Sequence, residues 1–268
     1  MPSNPADALA WESRWSRPAG IASLAAIAFF IAAIVVATQV VGSSDGDAEL
    51  LRNVDAHRGA QLLSSILQAV GVSLLAAPLY FLFQAANARS ETMRGQLWGV
   101  VVAAPLFLGA LAILTGISTL SAASDFVTDE VPRLMENGVA LDSDRADEVA
   151  NDAIADAPLR PLAAGFGFGG QLGFIVGMLY TALHAMRTGL LTRFWGSLGM
   201  ALAAVSFLFF QFTLLWYVYL GLLLLGWAPG GQPPAWETGE AMPWPTPGEK
   251  AGGELEAPDS GEGGDGRG

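Results

Sequence analysis

Between Arg17 and Asp45, Arg58 and Arg89, Arg94 and Asp125, Arg160 and Arg187, and Arg193 and Glu237, the chain carries no Asp, Glu, Lys or Arg. A helix needs roughly 20 apolar residues to cross the hydrocarbon of a bilayer. Backbone amides cannot go unpaired there, so windows of this kind fold as spanning helices packed in a bundle. The acids crowd into the intervening segments, as wet loops between spans require. With 52% apolar and 14% charged residues and a mean hydropathy of +0.43, the composition argues against a water-soluble globule. The fold class read from these features is all-α, a polytopic transmembrane helix bundle with five spans near residues 20–41, 61–86, 97–120, 162–186 and 196–227.

Around these spans the chain divides into a polar N-terminal segment (1–19), the bundle (20–227) with an acidic loop at 122–161, and a tail (228–268). The tail holds five prolines between Pro233 and Pro247, followed by a Gly, Glu and Asp run. Such a composition buries too little apolar surface to order itself, so the tail is expected to be disordered. The first apolar run is longer than a signal h-region of roughly 7 to 15 residues and is read as a retained anchor. Trp11 and Trp15 flank it at the depth of the headgroups. Pro78 predicts a kink in the second span. The acidic loop predicts two short helices, Asp125 to Glu136 stopped by Gly138 and Ser143 to Ala157 stopped by Pro161, lying on the membrane or on each other. The last span contains no Gly or Pro turn signal that would split it and is read as one long helix.

Two rows of small residues predict how the helices pack. Gly165, Gly169, Gly173 and Gly177 repeat at a four-residue step, as do Ser65, Ala69, Ser73 and Ala77. Residues four apart are neighbours on a helix surface, and missing side chains let a second helix approach closely. Each of two units has an acidic loop, a descending span with a small-residue ridge, an arginine-bearing link, a Trp-Gly pair (Trp98-Gly99, Trp195-Gly196) and an ascending span. This reads as a parallel repeat of two hairpins plus an N-terminal helix, with the two ridges facing each other.

Orientation follows from the arginines. A cytoplasmic N-terminus puts Arg14, Arg17, Arg89, Arg94, Arg187 and Arg193 on the inner side, as the positive-inside rule demands. The chain is then a multi-pass protein of the cell membrane, and with five spans its tail is external. Were the fifth segment two passes, the tail would return inside.

The chemistry-bearing residues are few. The absence of cysteine excludes a disulfide framework and a thiolate metal site, and a net charge of −12 excludes nucleic acid as a partner. Gly165-x-Gly-x-x-Gly170 matches the dinucleotide fingerprint in letters, but no strand precedes it and a phosphate would sit in hydrocarbon. The acidic run Asp45-x-Asp47-x-Glu49 lacks the glycine and the final acid of a calcium loop. His57 and His184 fall at opposite membrane faces, so no metal or acid–base pair is expected, and no Ser, His and acid can be gathered into a triad. Within the spans only neutral polar residues remain, among them Gln68, Gln171 and Gln211. These either hydrogen-bond between helices or line a path for a small neutral ligand.

The overall plan, with Arg17-Pro-Ala-Gly-Ile21 opening the first span, resembles uncharacterised multi-pass integral membrane proteins of bacteria. That resemblance implies a helical membrane bundle and assigns no functional residue. The reading is a non-enzymatic protein that needs no cofactor and acts by packing and interaction in the lipid bilayer, as a homo-oligomer or with a membrane-protein partner. The alternative is a small-molecule carrier or channel with a neutral polar lining.

Overall fold

The computed structural model describes residues 5–40, 42 and 44–244, and all regular structure among them is helical. Four helical segments are long and apolar enough to cross a membrane: Pro5–Thr38, Arg58–Arg89, Gly95–Glu136 and Arg160–Arg187. The first is α1 (Pro5–Val40), which starts well before the expected span and carries the N-terminal segment with it. The second is two helices end to end, α3 (Arg58–Leu74) and α4 (Ala76–Arg89). Their break at Leu75 follows from Pro78, whose ring clashes with the carbonyl four residues back and which has no amide to give it. The third is α5 (Trp98–Asp125), continuing through a π segment (Phe126–Glu130) into α6 (Val131–Glu136). The fourth is α8 (Arg160–Arg187).

Successive spans run antiparallel, so one end of the bundle collects Arg14, Arg17, Arg89, Arg94, Arg187 and Arg193 and the other collects most of the acids among the described residues. At the acidic end α2 (Asp47–Ala56) and α7 (Asp144–Ala155) pack on the top of α5. Leu51, Val54 and Phe126 are fully buried there among Ala122, Ala146 and Ala150, forming a core separate from that of the bundle. Of the two helices expected in the acidic loop, the first (Asp125 to Glu136) is a continuation of α5 through the π segment into α6, and the second, α7, packs on α2 and on the end of that span. Ser143 caps α7 by accepting from the Ala146 amide. Asp147 accepts from the Ala48 amide at 2.9 Å and so caps α2 from another helix.

The fifth span expected at 196–227 is two helices. α9 (Arg193–Val205) rises from the arginine end, the chain turns at residues 206–209, and α10 (Phe210–Leu224) comes back. Trp195, at the foot of α9, stacks on Tyr219 of α10 with ring centroids 3.6 Å apart, and Trp216 Nε1 donates to Trp195 O at 3.0 Å. The pair is therefore an antiparallel hairpin, and residues 228–244 emerge at the arginine end. No Gly or Pro makes the turn. The Ser206 hydroxyl donates to Ala203 O at 2.8 Å, bonding a side chain where the helix would continue. The hairpin also separates the two proposed repeat units, since α5 runs the whole depth of the bundle and α9 does not.

Candidate functional site

The small-residue rows meet α5 and not each other. In α8, methyl groups added at Gly173, Gly177 and Gly170 would press on Ala104, Val101 and Leu108 of α5, whereas Gly165 and Gly169 face open space. The reason is helical pitch: a four-residue step overshoots one turn by about 40°, so Gly165 lies about 120° around from Gly177. In α3, Ser65, Ala69 and Ser73 sit against Gly116 and Gly109 of α5. Ala77 lies past the break, in α4, beside Trp11, Trp15 and Pro18 of α1. α5 is thus wedged between the two ridges, gripped on both sides by small side chains.

The three glutamines do not meet. Gln68 and Gln211 are exposed on the outside of the bundle. Gln171 donates from Nε2 to the Ser206 hydroxyl at 2.9 Å, holding the tip of the hairpin to α8. That tip stops partway along the bundle. Along α1, Gly20 lies against Gly221, the Ser23 hydroxyl donates to Tyr217 O at 2.7 Å, and Phe30 meets Phe210. α1 then runs on to Val40, about 15 Å farther. The turn residues Phe207, Leu208 and Phe209 are 62%, 73% and 51% exposed, an apolar tip at the mid-depth of the bundle. The Leu208 and Phe209 amides both bond back to Val205 O at 3.0 Å, which suits a turn in surroundings that offer no water. Two hydroxyls on the inward face of α10, Thr213 Oγ1 and Tyr217 OH, are buried with no hydrogen-bond partner among the described residues.

The arginine end is closed by a clasp that the sequence did not disclose. Glu12 of α1 and Arg89 at the end of α4 form a two-pronged ion pair, Nη1 to Oε1 and Nη2 to Oε2, the second at 2.9 Å. The Arg89 and Glu12 side chains are only 0% and 5% exposed, respectively. Arg89 also donates to Ala85 O and, from Nε and Nη2, to Ala235 O in the tail. Trp11 stacks on Phe81 at 5.0 Å, Phe81 faces Trp236 at 6.1 Å, and the Trp236 ring lies beside the guanidinium. Around this cluster the tail is sewn to the turn between α8 and α9. Trp236 Nε1 donates to Leu190 O, Trp244 Nε1 to Leu191 O, and the Met242 amide to Thr188 O. Gly189, at φ +80°, leaves room for Met242 O, which a side chain would strike. Residues 228–244, expected to be disordered, are ordered by these contacts, including a short helix α11 (Ala235–Thr238). The expected disorder of 245–268 lies outside the described residues.

His57 is exposed between α2 and α3 at the acidic end, and His184 is buried near the arginine end of α8. They are not brought together. Among the described residues no group of three or more His, Asp or Glu is placed to hold a metal ion. No family model, no curated protein and no solved structure matches the chain.

Proposed function

We propose that this chain is an integral protein of the cell membrane that acts without catalysis, by packing and by holding a partner or a second copy of itself. The N-terminus, the arginines and the clasped tail are cytoplasmic, and the acidic cap faces outward. The observation that carries this reading is the seat of α5, held by small residues of α3 on one flank and of α8 on the other. A helix so gripped fills the space that a solute path would need. The orientation is supported by the six arginines at one end and by the fourteen Asp and Glu against five Arg in residues 42–58 and 125–160 at the other. With the last apolar segment a hairpin, the tail shares the side of the N-terminus, and the external tail expected from five passes gives way to a cytoplasmic one.

One observation favours a second reading. The unpartnered hydroxyls of Thr213 and Tyr217, buried beside a hairpin that stops at mid-depth, are what a carrier of a small neutral solute would present.

Because the chain has no cysteine, single-cysteine labelling separates the two. An impermeant maleimide should leave Ala104→Cys and Thr213→Cys unmodified from either face. It should reach Glu91→Cys only from the cytoplasm and Asn137→Cys only from outside. Labelling of Thr213→Cys in the folded protein would establish a water path and give the carrier reading precedence. Exchange of the two exposed positions would invert the orientation.

A further inference from the structure

At the acidic end, a cleft of about 300 Å³ opens sideways between α5, α7 and α8. Its polar wall is Arg160, the first residue of α8, with Thr115, Ser118 and Thr119 of α5; Leu111 and Ala163 line it on the apolar side. Arg160 stands out. Its guanidinium makes no hydrogen bond or ion pair among the described residues, although the surrounding cap is rich in carboxylates. In the same cap Arg58, Arg133 and Arg145 each pair with an acid three residues away. Ser118 is an independent sign. It is only 8% exposed, its hydroxyl has no partner among the described residues, and it lines this cleft. A hydroxyl held on so nearly buried a residue and left without a protein partner is placed to bond to something in the cleft.

A free guanidinium, a waiting hydroxyl and the positive end of the α8 dipole together describe a receptor for an oxyanion. The site lies where a span begins, with an apolar seam between α5 and α8 leading from it toward Leu111. An oxyanion carried on an acyl chain satisfies both halves. The charge of the cap decides which: its excess of carboxylates repels a ligand of net negative charge and attracts a cationic group next to the phosphate. We infer that this cleft binds the headgroup of one zwitterionic phospholipid. Its phosphate lies against Arg160 and Ser118, its ammonium group faces the carboxylates of the cap, and one acyl chain follows the seam between α5 and α8.

The inference rests on the membrane reading above, and the two can fail separately: a chain recovered outside the membrane fraction removes both, whereas a membrane-inserted chain that ignores the lipid removes only this site. The test uses the purified full chain in detergent with dioleoylphosphatidylethanolamine, dioleoylphosphatidylglycerol or inorganic phosphate. Lipids retained per chain are counted by native mass spectrometry, and the melting temperature is followed in parallel. The zwitterionic lipid is expected to be retained at one per chain. Arg160→Gln should weaken retention about tenfold, since a charged hydrogen bond is lost, and Ser118→Ala severalfold, while Arg187→Gln at the opposite end changes nothing. Undiminished retention in Arg160→Gln overturns the site. Equal or tighter retention of phosphatidylglycerol overturns the zwitterionic assignment, and protection by inorganic phosphate alone overturns the lipid as its source.

Discussion

The two ends of the bundle use charge in opposite ways. At the acidic end the ion pairs are exposed and local: Arg145 with Glu148, for instance, are 64% and 62% exposed and three residues apart on one helix. Such pairs contribute little, because water and salt screen them and two long side chains must be held still. What binds α2, α5 and α7 is the small apolar core around Leu51, Val54 and Phe126. At the arginine end the buried pair among the described residues is Arg89 with Glu12, which joins α1, α4 and the tail. Two charges taken from water are tolerated there because every prong of the guanidinium finds an acceptor. An excess of charge at a membrane boundary thus says where an end sits, while its burial says what the end is for: one end is wetted and the other is locked.

The sharpest way to break that contrast is to remove half of the lock. Arg89→Ala leaves Glu12 buried without its partner and frees Ala235 O. It should cost about 3–5 kcal/mol, read as a fall in unfolding midpoint in detergent and as new protease cleavage between residues 228 and 244. If cleavage appears without loss of stability, the pair holds only the tail and not the helices.

A smaller effect is expected between the two ends, where α5 is gripped. Gly173→Leu drives a side chain into Ala104, which the added Cβ would approach to 3.0 Å, and should cost about 1–3 kcal/mol. Gly165→Leu, facing open space, should be neutral or gain up to about 1 kcal/mol from improved helix propensity. Equal losses at both positions would mean that α8 presents its four-step row to a neighbour and that the 3.6-residue argument is wrong.

This pair of glycines also shows what could be read from the residues and what could not. Charge-free windows mark spans because hydrocarbon rejects ions whatever the tertiary structure, so the window ended by Arg160 and Arg187 returns as α8 with the same limits. Ser143 and Pro78 act locally, on their own turn of backbone, and their consequences were legible too. A four-residue repeat, by contrast, names a helix face only for a few turns before pitch carries it round, so which glycines touch α5 depends on where α5 lies. The hairpin turn at 206–209 is set by a serine bonding backward and by Gln171 reaching from α8, neither of which is a turn signal in sequence. The clasp lies farther still from local rules. Glu12 and Arg89 were assignable to the same side from charge sorting alone, but their pairing, and the ordering of a Pro-rich tail over them, needs three distant segments to converge. At the cleft between α5, α7 and α8, Arg160 reads in sequence as one more loop arginine; only the lack of a partner for its guanidinium among the described residues marks it.

The acidic cap offers the more modest tests, and they sharpen the comparison from its weaker side. Asp147→Ala removes the carboxylate that caps α2 from α7 and should cost about 1 kcal/mol, the usual worth of a helix cap. Arg145→Ala, which breaks only an exposed pair, should fall within about 0.5 kcal/mol of the parent, and that difference should vanish in high salt. The ordering of these two matters more than either value. Asp147 works by bonding to a backbone amide of another helix, so its loss loosens the α2–α7 contact and should speed amide exchange at Ala48 regardless of ionic strength. Arg145 works by charge alone, through solvent. If the salt dependence were found at Asp147 and not at Arg145, the cap would be held by long-range electrostatics after all, and the two ends of the molecule would differ in degree and not in kind.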